Sequence, residues 1–102
     1  MKILVLGSAD SQSLERALNR MFPGEQIDFV FQPGQAVVQH LFVSWLRQHV
    51  PDWIVLPDGR VPELYMLRII AEYDASGKHI GLICNDGGRA LIGIPEVQMY
   101  TT

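Results

Sequence analysis

MKILVLGSADSQSLERALNRMFPGEQIDFVFQ, residues 1–32, decides the fold class. Its first six residues form a continuous apolar run ended by Gly7, the pattern of a strand buried on both faces and so of a central strand in a parallel sheet. Asp10, Ser11 and Ser13 then offer side-chain oxygens to the orphan N–H groups of a helix. Along that helix Leu14, Ala17, Leu18, Met21 and Phe22 recur at three- and four-residue spacing, and Pro23-Gly24 stops it. Ile27, Phe29 and Phe31 alternate with Gln26, Asp28, Val30 and Gln32, which predicts a second strand with one better-buried face.

The same alternation of strand and helix continues outward. Residues 35–50 carry Val37, Val38, Leu41, Phe42, Trp45, Leu46 and Val50, a wide apolar stripe that predicts a helix ended by Pro51. Residues 52–56 make a third strand running into the turn residues Pro57, Asp58 and Gly59. From Pro62 a further helix is built on Leu64, Leu67, Ile70, Ala71 and Tyr73, with Gly77 as a left-handed cap. Residues 79–84 are the fourth strand. Asn85-Asp86-Gly87-Gly88 reads either as a hairpin loop or as a helix cap. The hairpin is preferred, because Gly87, Gly88 and Gly93 suit a helix poorly while Leu91, Ile92 and Ile94 suit an edge strand over residues 89–94. Pro95 breaks that pairing, and residues 96–102 are expected to be extended or frayed. The order βαβαβαβ with right-handed crossovers gives a three-layer Rossmann-like or flavodoxin-like α/β sandwich. Its mainly parallel sheet has four or five strands, in a single domain over residues 1–102.

Composition bounds the function classes. The chain has 102 residues, 48% apolar and 19% charged, which is the balance of a globular domain rather than a disordered one. A single cysteine, Cys84, excludes an intramolecular disulfide and a Cys-rich zinc site. Eleven acidic residues against eight basic ones argue against a nucleic-acid partner. The opening apolar run is too short for a signal-peptide core, and no stretch approaches the roughly 20 apolar residues that span a bilayer. The expectation is a cytoplasmic protein without a membrane partner.

In open parallel sheets, ligands bind beyond the carboxyl ends of the strands, where strand order reverses. Here that rim draws Gly7, Ser8, Asp10 and Ser11 from the first loop, Gln32 and Gly34 from the second, Asp58, Gly59 and Arg60 from the third, and Asn85 and Asp86 from the fourth. GSADSQS sets small hydroxyl residues against a helix N-terminus, where free N–H groups favour an anion. Ordinary helix capping reads the same residues, Asp10 would repel phosphate, and neither GxGxxG nor GxxxxGK[ST] occurs. Asp10, Asp58 and Asp86 are carboxylates suited to a hard cation, and each also stands among turn residues where Asp serves local hydrogen bonds. No metal site is assigned and the cofactor is left open.

PDWIVLPDGRVPELYMLRII, residues 51–70, together with the preceding GQAVVQHL, resembles the phosphoacceptor region of response-regulator receiver domains over about a third of the chain. The resemblance implies a degenerate receiver. Its acceptor position falls on Pro57, with Asp58 one place late, and the acidic pair after the first strand is reduced to Asp10. Cys84-Asn85 stands where Ser or Thr is usual, and no Lys-Pro follows a fifth strand. Such a domain would bind a partner rather than accept phosphate. VLPDG with AEYDASGKHIGLI is similar to nucleoside deoxyribosyltransferase-like proteins, which implies a catalytic Glu; Glu63 lies early for it and Glu72 late. Phosphotransferase IIB components share the size and the MKIL-type first strand but carry Cys where this chain has Gly7-Ser8.

His40 and His49 are nine residues apart on one helix and point to opposite sides, so they cannot share a metal. A Ser8–His79–Asp58 triad can be drawn on paper, but without GxSxG. On the long helix, Phe42, Val43 and Trp45 read first as core and second as a homodimer contact. The expected function is a small binding or regulatory module that takes a protein partner or a small phosphorylated ligand at the strand-end rim, without a complete catalytic site. The alternative is a nucleotide- or nucleoside-acting enzyme in which Asp58 or Glu63 is the acid, base or nucleophile.

Overall fold

The computed structural model describes residues 1–7, 11–32, 39–56, 62–85, 90–94 and 98–101, with Ser11, Asn85 and the residues from 90 onward described by their backbone alone. The order is β1 (Lys2–Leu6), α1 (Ser11–Met21), β2 (Asp28–Gln32), α2 (Gln39–Gln48), β3 (Trp53–Leu56), α3 (Leu64–Ala75), β4 (Gly81–Asn85), β5 (Ala90–Ile94) and β6 (Gln98–Thr101). The strands form one sheet in the order β2-β1-β3-β4-β5-β6. The first four in that row are parallel, and β5 and β6 are antiparallel additions. This is the α/β architecture that the alternation of strands and helices predicts.

β1 is an interior strand because its alternate residues serve two cores. Leu4 and Leu6 join Ile54, Leu56, Ile80 and Leu82 under Phe42 and Leu46 of α2 and Met66 and Ile69 of α3. Ile3 and Val5 join Val55 and Ile83 under Leu14 and Leu18 of α1. The sheet is therefore the middle layer of three, with one helix on one face and two on the other. No helix among the described residues is long and apolar enough to cross a membrane.

Four details differ from the sequence expectations. The described helix α2 spans Gln39–Gln48 and so ends two residues before the expected Val50, and residues 35–38 of the expected 35–50 helix lie outside the described residues. Its stripe is also narrower: Phe42 and Leu46 are buried, while Leu41 and Val50 are exposed, since a helix lying on a sheet buries one i, i+4 row. β2 was expected to bury Ile27, Phe29 and Phe31 on one face, yet Phe31 is exposed and Val30 packs against the opposite core. The cause is its position at the sheet edge, where the last strand outruns the helices covering it. Finally, the tail is not frayed throughout, because residues 98–101 pair with β5 and make β6 the outer strand. Among the described residues the sheet thus has six strands rather than the expected four or five, and β5 is interior. The hairpin reading of the fourth connection holds, with Asn85 opposite Leu91.

α3 ends in a Schellman turn. Gly77 adopts φ +97°, its N–H donates to the Asp74 carbonyl (3.0 Å), and the Lys78 N–H donates to the Tyr73 carbonyl (2.9 Å). That turn delivers Lys78 to Asp52: Lys78 Nζ donates to Asp52 Oδ1 at 2.8 Å, and the Lys2 backbone N–H donates to Oδ2 at 2.9 Å. The Asp52 backbone is engaged as well, with its N–H on the Lys2 carbonyl and its carbonyl on the Gly81 N–H. One residue thereby ties the amino ends of β1, β3 and β4.

Candidate functional site

The four parallel strands finish nearly level. Leu6 is paired with Gln32, Leu56 with Cys84, and the β1–β3 register brings Leu6 alongside Leu56. One step further, Gly7 donates its N–H to the Gln32 carbonyl at 3.1 Å, and Asn85 ends β4. From this rim the chain leaves β1 for α1 on one face, and leaves β3 for α3 on the other. β1 and β3 are neighbours whose outgoing helices diverge, so the gap between their carboxyl ends is the switch-point crevice of an open α/β sheet.

The rim gathers the sequence candidates unevenly. Gly7 and the Asn85 backbone stand on it, and Ser11 is the first residue of α1. Glu63 occupies the N-cap position of α3 with extended backbone (φ −75°, ψ 152°). Its carbonyl accepts from Met66 and Leu67, but its exposed carboxylate makes no capping hydrogen bond. Ser8, Asp10, Gly34, Asp58, Gly59, Arg60 and Asp86 lie outside the described residues. Pro57, the receiver acceptor position, lies there too.

Two helix N-termini flank the crevice, and neither first turn contains an acid. In sequence each follows a carboxylate, Asp10 before α1 and Glu63 before α3. What distinguishes them is the first turn itself, Ser-Gln-Ser in α1 against Leu-Tyr-Met in α3, and the polar one suits an anion better. Cys84 lies half-buried near the end of β4, and burial pushes its thiol above its ordinary pKa of 9.0, which keeps it a weak nucleophile at neutral pH.

The histidine candidates separate from the rim. His79 precedes β4, so it is displaced from Asn85 by six residues, roughly 20 Å along the strand. Its Nδ1 instead lies 3.0 Å from Asp74 Oδ1 at the exposed end of α3. Of the Ser8–His79–Asp58 triad, His79 stands at the amino end of β4, and Ser8 and Asp58 lie outside the described residues. His40 is exposed on α2, and His49 follows that helix half-buried. Among the described residues no three His, Cys, Asp or Glu side chains stand together as metal ligands. Phe42 is fully buried and meets Tyr65 edge-on at 5.9 Å, so it cannot contribute to a surface contact; Val43 and Trp45 pack half-buried beside it.

Sequence reasoning missed two features. One is an apolar groove of about 280 Å³ between α3 and β4, walled by Leu67, Ile70 and Ala71 over Ile80 and Leu82. Its signal was present in the helix, since Leu67, Ile70 and Ala71 belong to the apolar stripe read from the sequence, but the core is closed by Met66 and Ile69 instead, which leaves Leu64 and Leu67 exposed. The other is the Asp52–Lys78 tie, whose partners lie 26 residues apart and carry no local motif.

Compared with known proteins, the chain matches no family model, no curated protein and no solved structure.

Proposed function

We propose that this protein is a small cytoplasmic binding module that takes a phosphorylated ligand in the crevice between the carboxyl ends of β1 and β3, at the N-terminus of α1. The observation that carries this reading is the divergence of α1 and α3 from adjacent strands. It opens a crevice, and it sets on one wall a helix N-terminus whose first turn, Ser-Gln-Ser, is polar and contains no acid. Gly7 supports close approach by a ligand at the foot of that wall. The likeness to receiver domains supports the same rim, with Pro57 in place of an acceptor carboxylate, so the ligand would be held rather than cleaved. A protein partner docking at the rim in place of the small ligand fits the same arrangement.

The test is thermal unfolding in the presence of inorganic phosphate, nucleoside monophosphates and nucleosides. Phosphate or a nucleoside monophosphate at 100 times its dissociation constant should stabilise the fold by about 2.7 kcal/mol. In a domain of this size that is a shift of order 10 °C. Ser11→Glu places a carboxylate in the first turn of α1 and should remove the shift while leaving the unliganded protein folded. No shift with any phosphate compound refutes the reading. Turnover of a nucleoside, lost in Glu63→Gln, would replace it with the enzyme alternative, which rests on the exposed and uncapped carboxylate of Glu63.

A further inference from the structure

Two of the five residues of β2 turn their backbone groups away from its one described strand partner. Among the described residues it pairs with β1 alone, in unbroken register from Lys2↔Asp28 to Leu6↔Gln32. The Asp28 N–H donates to the Met1 carbonyl at 2.8 Å, and the Gln32 carbonyl accepts from Gly7 at 3.1 Å. Residues of a parallel strand alternate in the side to which they turn their N–H and C=O. Asp28, Val30 and Gln32 therefore face β1, and Phe29 and Phe31 turn both backbone groups outward.

Exposed strand edges are ordinarily blunted by lysine, proline or a bulge. This one has none of these within residues 28–32, and it presents Phe31 at 39% exposure, stacked on Phe29 at 6.1 Å. What pairs with such an edge is another strand, and the sequence identifies which one. Asp28-Phe29-Val30-Phe31-Gln32 is nearly the same read in either direction. A two-fold axis through Val30 sets Phe29 opposite Phe31 of a second copy, Phe31 opposite its Phe29, and Asp28 opposite its Gln32. In that register the outward groups of Phe29 and Phe31 meet their counterparts and close four hydrogen bonds. The like-charged Asp28 residues fall at opposite ends. A cyclic dimer requires this self-complementarity of its contact.

We infer that the protein forms a homodimer by antiparallel pairing of β2 with β2 of a second copy, centred on Val30, which joins two six-stranded sheets into one. The Phe29–Phe31 pairs stack across the joint on the α1 face. Val30 meets Val30 on the other face as a close, non-hydrogen-bonded pair, with Cα atoms about 4.5 Å apart. The pairing is independent of the rim, which lies beyond the end of the strand.

Sedimentation of the wild type and of Phe31→Pro tests the association. Proline at 31 removes an N–H that β1 does not use, so β1–β2 pairing survives while the joint loses two of its four hydrogen bonds. The wild type should sediment as a dimer in the micromolar range and the variant as a folded monomer. Cysteine cross-linking tests the register without relying on that variant. In a Cys84→Ala background, Val30→Cys should oxidise to a covalent dimer, because the close pair lies within disulfide reach. Asp28→Cys should not, since its copies would stand about 13 Å apart. A wild type that stays monomeric throughout the micromolar range overturns the inference, as does cross-linking at Asp28→Cys but not at Val30→Cys.

Discussion

The two faces of the sheet are sealed by different means. Among the described residues, ten buried side chains and two neighbouring helices close the α2–α3 face, whereas six buried side chains and one helix close the other. The difference is made up by rings and long side chains from strands and turns: Met1, Phe22, Phe29 and Trp53 all pack at the rim of the α1 core. Trp53 lies across β4 so closely that a Cβ on Gly81 would stand 2.3 Å from its ring, and Phe22 tilts against it at 5.3 Å. One face is interlocked from two helices; the other depends on an aromatic lid seated over a missing side chain. A face with fewer helices needs larger strand residues, and those in turn need a glycine beside them.

The sharpest way to break the comparison is to cut a ring from each face. Phe42→Ala empties a fully buried site between α2 and α3 and should cost about 3–5 kcal/mol, a large share of the roughly 5–15 kcal/mol that holds a domain folded. Phe22→Ala removes a half-buried ring and should cost about 2 kcal/mol, because water replaces part of what is lost. Chemical denaturation of both variants measures the difference. Equal losses would show that the α1 face is packed as tightly as its counterpart.

Gly81 sharpens the same contrast. Gly81→Ala drives a methyl into the Trp53 ring, and overpacking of this kind costs about 1–3 kcal/mol. The cost should nearly vanish in a Trp53→Leu background, where the space above β4 is free. A double-mutant cycle would then show a coupling of about 1 kcal/mol or more. Additive losses would mean that the glycine serves the strand backbone rather than the ring.

How much of this was legible in sequence follows from the range of the interactions. The βαβ unit of residues 1–32 was readable because burial on both faces makes β1 apolar throughout and α1 periodic. Gly77 was readable because a left-handed cap is a local demand. Phe31 was not, since whether an alternating residue is buried depends on a strand's place in the sheet, and β2 lies at the edge. Nor was β6, whose four residues owe their pairing to β5. At the candidate site, the loop-and-rim rule selected Gly7, Ser11, Gln32 and Asn85 before the topology placed them, whereas Glu63 came only from the resemblance to nucleoside deoxyribosyltransferase-like proteins. His79 escaped that rule because the end of a strand at which a residue lies is fixed only once the strand has bounds. The Gly81–Trp53 contact joins residues 28 apart and left no local trace.

The smallest effect belongs to the point the two faces share. Asp52 ties β1, β3 and β4 below both cores, so its loss should loosen the faces alike. The hydrogen bond from Lys78 holds its carboxyl below the ordinary value of 3.8, aided by the Lys2 N–H and opposed by partial burial. A carboxylate whose folded pKa is depressed contributes stability that is fully present above its unfolded pKa and is lost as pH falls through the folded one. With Lys78 and Asp52 exposed by 37% and 42%, solvent screening limits the contribution to about 1 kcal/mol or less. Asp52→Asn should therefore be slightly less stable than wild type at pH 7, and the difference should shrink from about pH 4 downward, as the wild-type carboxyl is protonated. Urea unfolding across that window measures it. A deficit that persisted at pH 2 would place the stabilisation in the hydrogen bonds that the side-chain oxygens of Asp52 accept from the Lys2 N–H and Lys78, rather than in its charge, and the shared tie of the two faces would then be a hydrogen bond, not an ion pair.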